Sequence, residues 1–150
     1  MEKINKDIKK AYTLPGRFYH SNSILEESKE KIFARTWQLI SDDSNLKLVN
    51  NAQPSFFMDG FIEEPLLLTK SNDNTINCFS NVCTHRGNIL IENNCEINRD
   101  ITCKYHGKRF NKCGKFISMP ETKGMENFPT KDDDLKSIPL KQWKQFLFCS

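Results

Sequence analysis

The chain has 150 residues, of which 22 are basic and 19 acidic, for a net charge of +3. That length suits one domain burying about two-thirds of its unfolded surface, and a balance this even leaves no electrostatic footprint for nucleic acid. No apolar run approaches the length of a membrane span, and no leader is visible behind the lysine-rich Met1 to Lys10 stretch, so a soluble cytoplasmic protein is expected.

Residues 1–20 read as an irregular arm with a turn at Leu14-Pro15-Gly16. His20 reads as a surface or packing residue. Ser23 with Glu26 forms an S-x-x-E capping box and predicts a helix from Ile24 to Arg35. Leu25, Ile32 and Phe33 would share its buried face, with Glu26, Glu27, Lys29 and Glu30 outward. From Trp37 the period becomes two. Strands are expected at 37–40, 45–49, 54–58, 65–70 and 75–80, with turns at Asp59-Gly60 and Asn72-Asp73-Asn74. Phe56-Phe57-Met58 and Leu66-Leu67-Leu68 supply core. A loop at 83–90 is followed by a strand pattern near 96–103 and a second loop; Lys108 to Phe110 leaves it, and Lys112-Cys113-Gly114 turns the chain into 115–118. In the polar stretch 119–135, the run Asp132-Asp133-Asp134 reads as a solvated loop or the start of a short helix. Strands at 136–142 and 145–149 close an all-β domain of short antiparallel strands. The expected division is an arm with one helix over 1–36 and a β domain over 37–150.

Chemistry concentrates in two loops. Cys83-Thr84-His85-Arg86-Gly87 and Cys103-Lys104-Tyr105-His106-Gly107 present C-x-H and C-x2-H, with 17 residues between His85 and Cys103. Structural zinc sites usually pair like ligands within a loop, whereas each loop here mixes the two types. A two-iron cluster suits the mixture. Cys83 and Cys103 can hold one iron and His85 and His106 the other, which is the ligand division of a Rieske 2Fe–2S centre. Gly87 and Gly107 follow the loop ligands, where the backbone must turn tightly and approach the cluster closely. Of the six cysteines, Cys78 and Cys149 read as small core hydrophobes, Cys113 as exposed in a turn, and these three with Cys95 as reduced.

Cys-Thr-His-Arg-Gly followed by Cys-x-Tyr-His-Gly resembles the Rieske domain of Rieske non-haem iron oxygenases, the alpha subunits of aromatic-ring hydroxylases and relatives such as choline monooxygenase. Phe79-Ser80-Asn81-Val82, Trp37-Gln38-Leu39-Ile40 and Trp143 with Phe146-Leu147-Phe148 resemble that family's strands. The resemblance implies a Rieske-type antiparallel β-sandwich with two cluster-binding loops, supported by Arg86, Gly87, Tyr105 and Gly107. The helical arm resembles the oxygenase subunits more than a stand-alone Rieske ferredoxin. Respiratory-chain Rieske proteins carry an extra cysteine in each loop, and Asn88 and Tyr105 stand at those positions here. The resemblance therefore implies the low-potential class.

Two positions depart from the family pattern: Lys104 stands in place of proline and Lys108 in place of tryptophan. They complete a basic set, Lys104, Lys108, Arg109, Lys112 and Lys115, within 12 residues. It reads either as a solvated basic face or as a docking surface for an acidic electron-donating reductase or ferredoxin, whose rate would fall with ionic strength. The family's second domain holds a mononuclear iron through two histidines and a carboxylate. Three histidines in all, two of them in the loops, cannot supply it. The expected role is the electron-transfer part of an oxygenase alpha subunit, an N-terminal portion serving a catalytic domain of the same or a neighbouring subunit. An independent Rieske-type ferredoxin and a zinc-stabilised interaction module remain as alternatives.

Overall fold

A computed structural model describes residues 4–150, so the first three positions of the predicted arm lie outside the described residues. The chain divides into two units, Met1–Arg35 and Thr36–Ser150.

The first unit carries short 3-10 turns at Ile8–Lys10 and Gly16–Tyr19, then α1 (Asn22–Lys31) and a further 3-10 turn at Phe33–Arg35. The helix starts and stops earlier than predicted. Ser21 is its N-cap without a side-chain capping bond, and Ser21 Oγ instead meets Ser23 Oγ at 2.9 Å. Glu26, the expected capping-box partner, pairs with Lys29 at 2.9 Å. No residue of α1 is buried, and Leu25 and Ile32 remain 45% and 46% exposed. The reason lies in the sequence: within α1 only Ile24 and Leu25 are apolar, and Ile32 and Phe33 fall past the last α-helical turn.

The second unit is antiparallel throughout. Its ten strands are β1 (Gln38–Asp42), β2 (Asn51–Phe57), β3 (Glu64–Lys70), β4 (Ile76–Ser80), β5 (Cys95–Glu96), β6 (Ile101–Thr102), β7 (Arg109–Phe110), β8 (Phe116–Ser118), β9 (Leu140–Trp143) and β10 (Phe146–Cys149). They form sheets ordered β4-β3-β2-β5, β1-β10-β9 and β6-β7-β8. β3 is central and reads as a continuous apolar run, as a strand covered on both faces must. Its alternation sends Leu66 and Leu68 into one core, with Phe57, Cys78, Leu147 and Cys149. Leu67 goes to the other, with Ala52, Phe79, Ile101, Phe110 and both loop cysteines. The four-stranded sheet thus carries one three-stranded sheet on each face. Pro54 is tolerated because β5 pairs only with Asn51 and Ala52, leaving the rest of β2 an edge.

Three predicted strands change. Residues 45–49 form no strand; Asp42 Oδ1 accepts from the Ser44 N–H at 2.8 Å, and the Leu46 N–H bonds the Asp43 carbonyl at 3.0 Å, making a turn. Leu46 is fully buried all the same. The 96–103 pattern breaks into β5 and β6 around Arg99-Asp100. The 136–142 strand starts only at Leu140, because Pro139 cannot donate to a ladder; before it, Ser137 makes a single bridge to Phe79. The acidic run is not simply solvated. It forms a 3-10 turn at Lys131–Asp133 with a reciprocal Thr130/Asp133 cap. Asp134 Oδ1 accepts from the Phe116 N–H at 2.7 Å and Oδ2 from Lys115 Nζ at 2.8 Å.

These contacts hold the Asp134 carboxyl below its ordinary 3.8, the Lys115 hydrogen bond contributing most and the Phe116 N–H next. A depressed native pKa means the unfolded chain binds the proton more readily, so the stabilisation is complete above pH 3.8 and is lost as pH falls through the native value. Asp134→Asn is expected to cost about 1 kcal/mol at neutral pH and to flatten the acid limb of stability below about pH 4. Urea melts of both proteins between pH 3 and 7 check this; parallel acid limbs would contradict it.

Candidate metal centre

The two loops are built alike. The first follows β4 and the second joins β6 to β7. In the first, the Cys83 N–H bonds the Asn88 carbonyl at 2.8 Å and the Gly87 N–H bonds the Cys83 carbonyl at 3.0 Å. In the second, the Cys103 N–H bonds the Lys108 carbonyl at 2.8 Å and the Gly107 N–H bonds the Cys103 carbonyl at 3.0 Å. Gly87 and Gly107 have φ of +71° and +70°, which explains glycine four positions after each cysteine. The two motifs are therefore one loop length with the histidine at the second position in one and the third in the other.

The loops place cysteines inside and histidines outside. Cys83 and Cys103 are each 2% exposed, and the Cys83 thiol lies within hydrogen-bond reach of the Cys103 sulfur. His85 and His106 meet edge to face, ring centroids 4.8 Å apart, with Tyr105 against His106 at 3.8 Å. His85 and Arg86 are exposed and His106 is half-buried. His106 Nδ1 is buried and has no hydrogen-bond partner. Among the described residues no three Cys, His, Asp or Glu side chains are gathered so as to hold one ion. The donors come as two pairs.

Burial pushes the Cys83 thiol up; the His85 N–H opposes this, Cys103 adds to it, and the Lys108 charge opposes it. Desolvation holds the His85 imidazole below its usual range, helped by the charges of His106, Arg86 and Lys108. The first loop is closed at its base by Asn81, whose side-chain amide donates to the Ile91 carbonyl at 2.7 Å and accepts from the Ile91 N–H at 3.1 Å.

The basic set is corrected. Lys108 is not on the surface: its side chain is 2% exposed and pairs with Asp133 at 2.8 Å. Lys115 pairs with Asp134 at 2.8 Å and Lys104 with Glu92 at 3.9 Å. Arg109 pairs with Asp100, and Lys112 Nζ donates to Asn50 Oδ1 at 2.5 Å. Lys108 is thereby removed from the surface set, Arg109 and Lys112 are half-buried, and Lys104 and Lys115 remain exposed. Sequence reasoning named Lys108 and Asp133 but missed that they pair, 25 residues apart. The available signal was period: Lys108 and Phe110 alternate inward around Arg109.

The profile of the Rieske 2Fe-2S domain matches residues 36–129. The chain belongs to this family. Its Rieske-type 2Fe–2S character agrees with the paired donors, and neither a zinc module nor an independent ferredoxin is favoured by its relatives. It is 29% identical over 138 residues to the carnitine monooxygenase oxygenase subunit of Escherichia coli K12, covering 92% of this chain and 36% of that protein. It is 28% identical over 130 residues to the biphenyl dioxygenase alpha subunit of Paraburkholderia xenovorans, covering 87% of this chain and 27% of that protein. The crystal structure of a quaternary ammonium Rieske monooxygenase superposes with a TM-score of 0.81 at 27% identity, over 93% of this chain and 40% of that one. The chain thus spans a little over a third of the carnitine monooxygenase oxygenase subunit and about a quarter of the biphenyl dioxygenase alpha subunit. Among its described residues no helix is long and apolar enough to cross a membrane.

Proposed function

We propose that Cys83 and Cys103 hold one iron of the 2Fe–2S cluster and His85 and His106 the other, and that the domain transfers single electrons as the Rieske part of an oxygenase alpha subunit. The observation that carries this is His106 Nδ1, a buried nitrogen left without a partner beside His85, while two thiols face each other in the core below. A buried polar atom without a partner is costly, and a metal ligand removes the cost. When bound, the cluster takes up and returns one electron, at about −150 to +300 mV in this class.

The chain's own residues do the rest. The core around Cys83 and Cys103 keeps water from the sulfur side. Gly87 and Gly107 let the backbone turn around the cluster, with Arg86 and Tyr105 completing the loop surface. With the cluster in place, His85, exposed at the rim, would be the ligand nearest an electron-transfer partner. The donor fits a reductase or ferredoxin, and the acceptor a mononuclear-iron catalytic domain of the same or a neighbouring subunit. A cytoplasmic setting suits the remaining cysteines as thiols. Redox titration of the holoprotein is expected to give a midpoint in the lower half of the class range of about −150 to +300 mV; a value near the upper end contradicts the oxygenase assignment.

A further inference from the structure

Lysine is almost never fully buried unless something compels it. Lys108 is 2% exposed, two positions after His106, in the core that also takes Cys83 and Cys103. Its Nζ lies 5.7 and 5.3 Å from the ring centroids of Phe110 and Phe116, and both contacts favour the cation. Asp133 accepts from Nζ with Oδ1 at 2.8 Å, while its Oδ2 is taken by the Thr130 N–H at 2.9 Å and hydroxyl at 3.3 Å.

The pair also joins the two loops. The Thr84 hydroxyl donates to the Asp133 carbonyl at 2.9 Å, and the Cys103 N–H donates to the Lys108 carbonyl at 2.8 Å. A buried ion pair is a poor device for stability alone, since apolar side chains of similar volume often do as well or better. A staple between loops does not need a charge.

We propose that Lys108 is a built-in counter-charge to the reduced cluster, with Asp133 as the residue that positions it. This rests on the cluster assignment above. A one-electron reduction by an external donor adds one negative charge and breaks no bond. A cation fixed in the same core stabilises that added charge more strongly than one in water, because the interior screens less. The pair is tied to both loops beside the proposed ligands: the Lys108 carbonyl accepts from the N–H of Cys103, and the Asp133 carbonyl from the hydroxyl of Thr84, which stands between Cys83 and His85.

The test is redox titration of holoprotein, with iron and sulfide content and melting followed in parallel, for wild type, Lys108→Met, Lys108→Arg and Asp133→Asn. Lys108→Met is expected to lower the reduction equilibrium constant about tenfold, which is about 59 mV for a one-electron couple. Lys108→Arg stays within about twofold of wild type. Asp133→Asn removes the neutralising carboxylate and shifts the equilibrium the other way. Opposite signs at the two partners are what a loop staple cannot produce, since losing either end of a staple acts in one direction. If Lys108→Met does not assemble, Asp133→Asn decides: an upward shift supports the proposal, and no shift or a downward one overturns it. Loaded variants with wild-type potentials overturn the counter-charge alone. A wild-type protein without a 2Fe–2S cluster overturns the functional reading beneath it.

Discussion

Cys103→Ser is expected to abolish the cluster while leaving the domain folded. Cys103 directly follows β6 and packs in the same core cluster as Cys83, and both are 2% exposed. Serine is close in size, and the loop's backbone bonds from Cys103 N–H to Lys108 and from Gly107 N–H to the Cys103 carbonyl do not involve the side chain. What changes is the donor: a buried hydroxyl is a far poorer iron ligand at neutral pH than a thiolate. Iron and sulfide are expected to fall from about two each per chain to near zero, with the far-ultraviolet spectrum retained. Cys78→Ser is the control, since Cys78 is equally buried and lies outside the loops. It is expected to keep the full cluster and lose about 1–3 kcal/mol through an unsatisfied hydroxyl. Full loading of Cys103→Ser would contradict the ligand assignment.

The second large effect is expected at Gly114→Ala. Gly114 turns β7 into β8 at φ +75°, and a Cβ there would stand 2.6, 2.9 and 3.0 Å from three atoms of the Phe79 ring. Alanine pays roughly 1–2 kcal/mol for the left-handed backbone, and overpacking adds about 1–3 kcal/mol. The ring has no free side to move toward, because Phe79 is 4% exposed and packs with Leu67, Cys83 and Leu135. Gly114 is also tied by its carbonyl to the Leu135 N–H at 2.7 Å. The expected loss is about 2–5 kcal/mol in urea unfolding. Gly60→Ala has a similar φ of +70° and nothing within 4 Å of its Cβ, so it shows the backbone cost alone. Equal losses at the two glycines would contradict this account of the core beneath the loops.

What the sequence disclosed follows from how local each signal is. The loops were legible because two cysteines, two histidines and two glycines lie within one short segment and the turn geometry demands each type. β3 and β4 were legible because Leu66 to Leu68 and the Asn72-Asp73-Asn74 hairpin are complete within a few residues. The helix was misplaced because Ser23 and Glu26 satisfy the capping pattern, while Ser21 is where the chain enters the helix. Residues 45–49 alternate like a strand, but Asp42 and Asp43 bind the backbone just ahead of them and make a turn. Lys108 was misread for a different reason. Its burial depends on a carboxylate 25 residues away, and composition within a window reports a lysine as solvated. For the acidic run the short-helix alternative was the right one, but the partners of Asp133 and Asp134, at Lys108 and at Lys115 with Phe116, are too distant in the chain to be read from it.

The central claim is a histidine-ligated 2Fe–2S cluster held by Cys83, His85, Cys103 and His106. Its most direct test is absorption and EPR spectroscopy of protein purified without oxygen, before and after dithionite. The account predicts a red-brown protein, silent when oxidised, that gives a rhombic signal of low average g on reduction. A colourless protein holding a single zinc would contradict it.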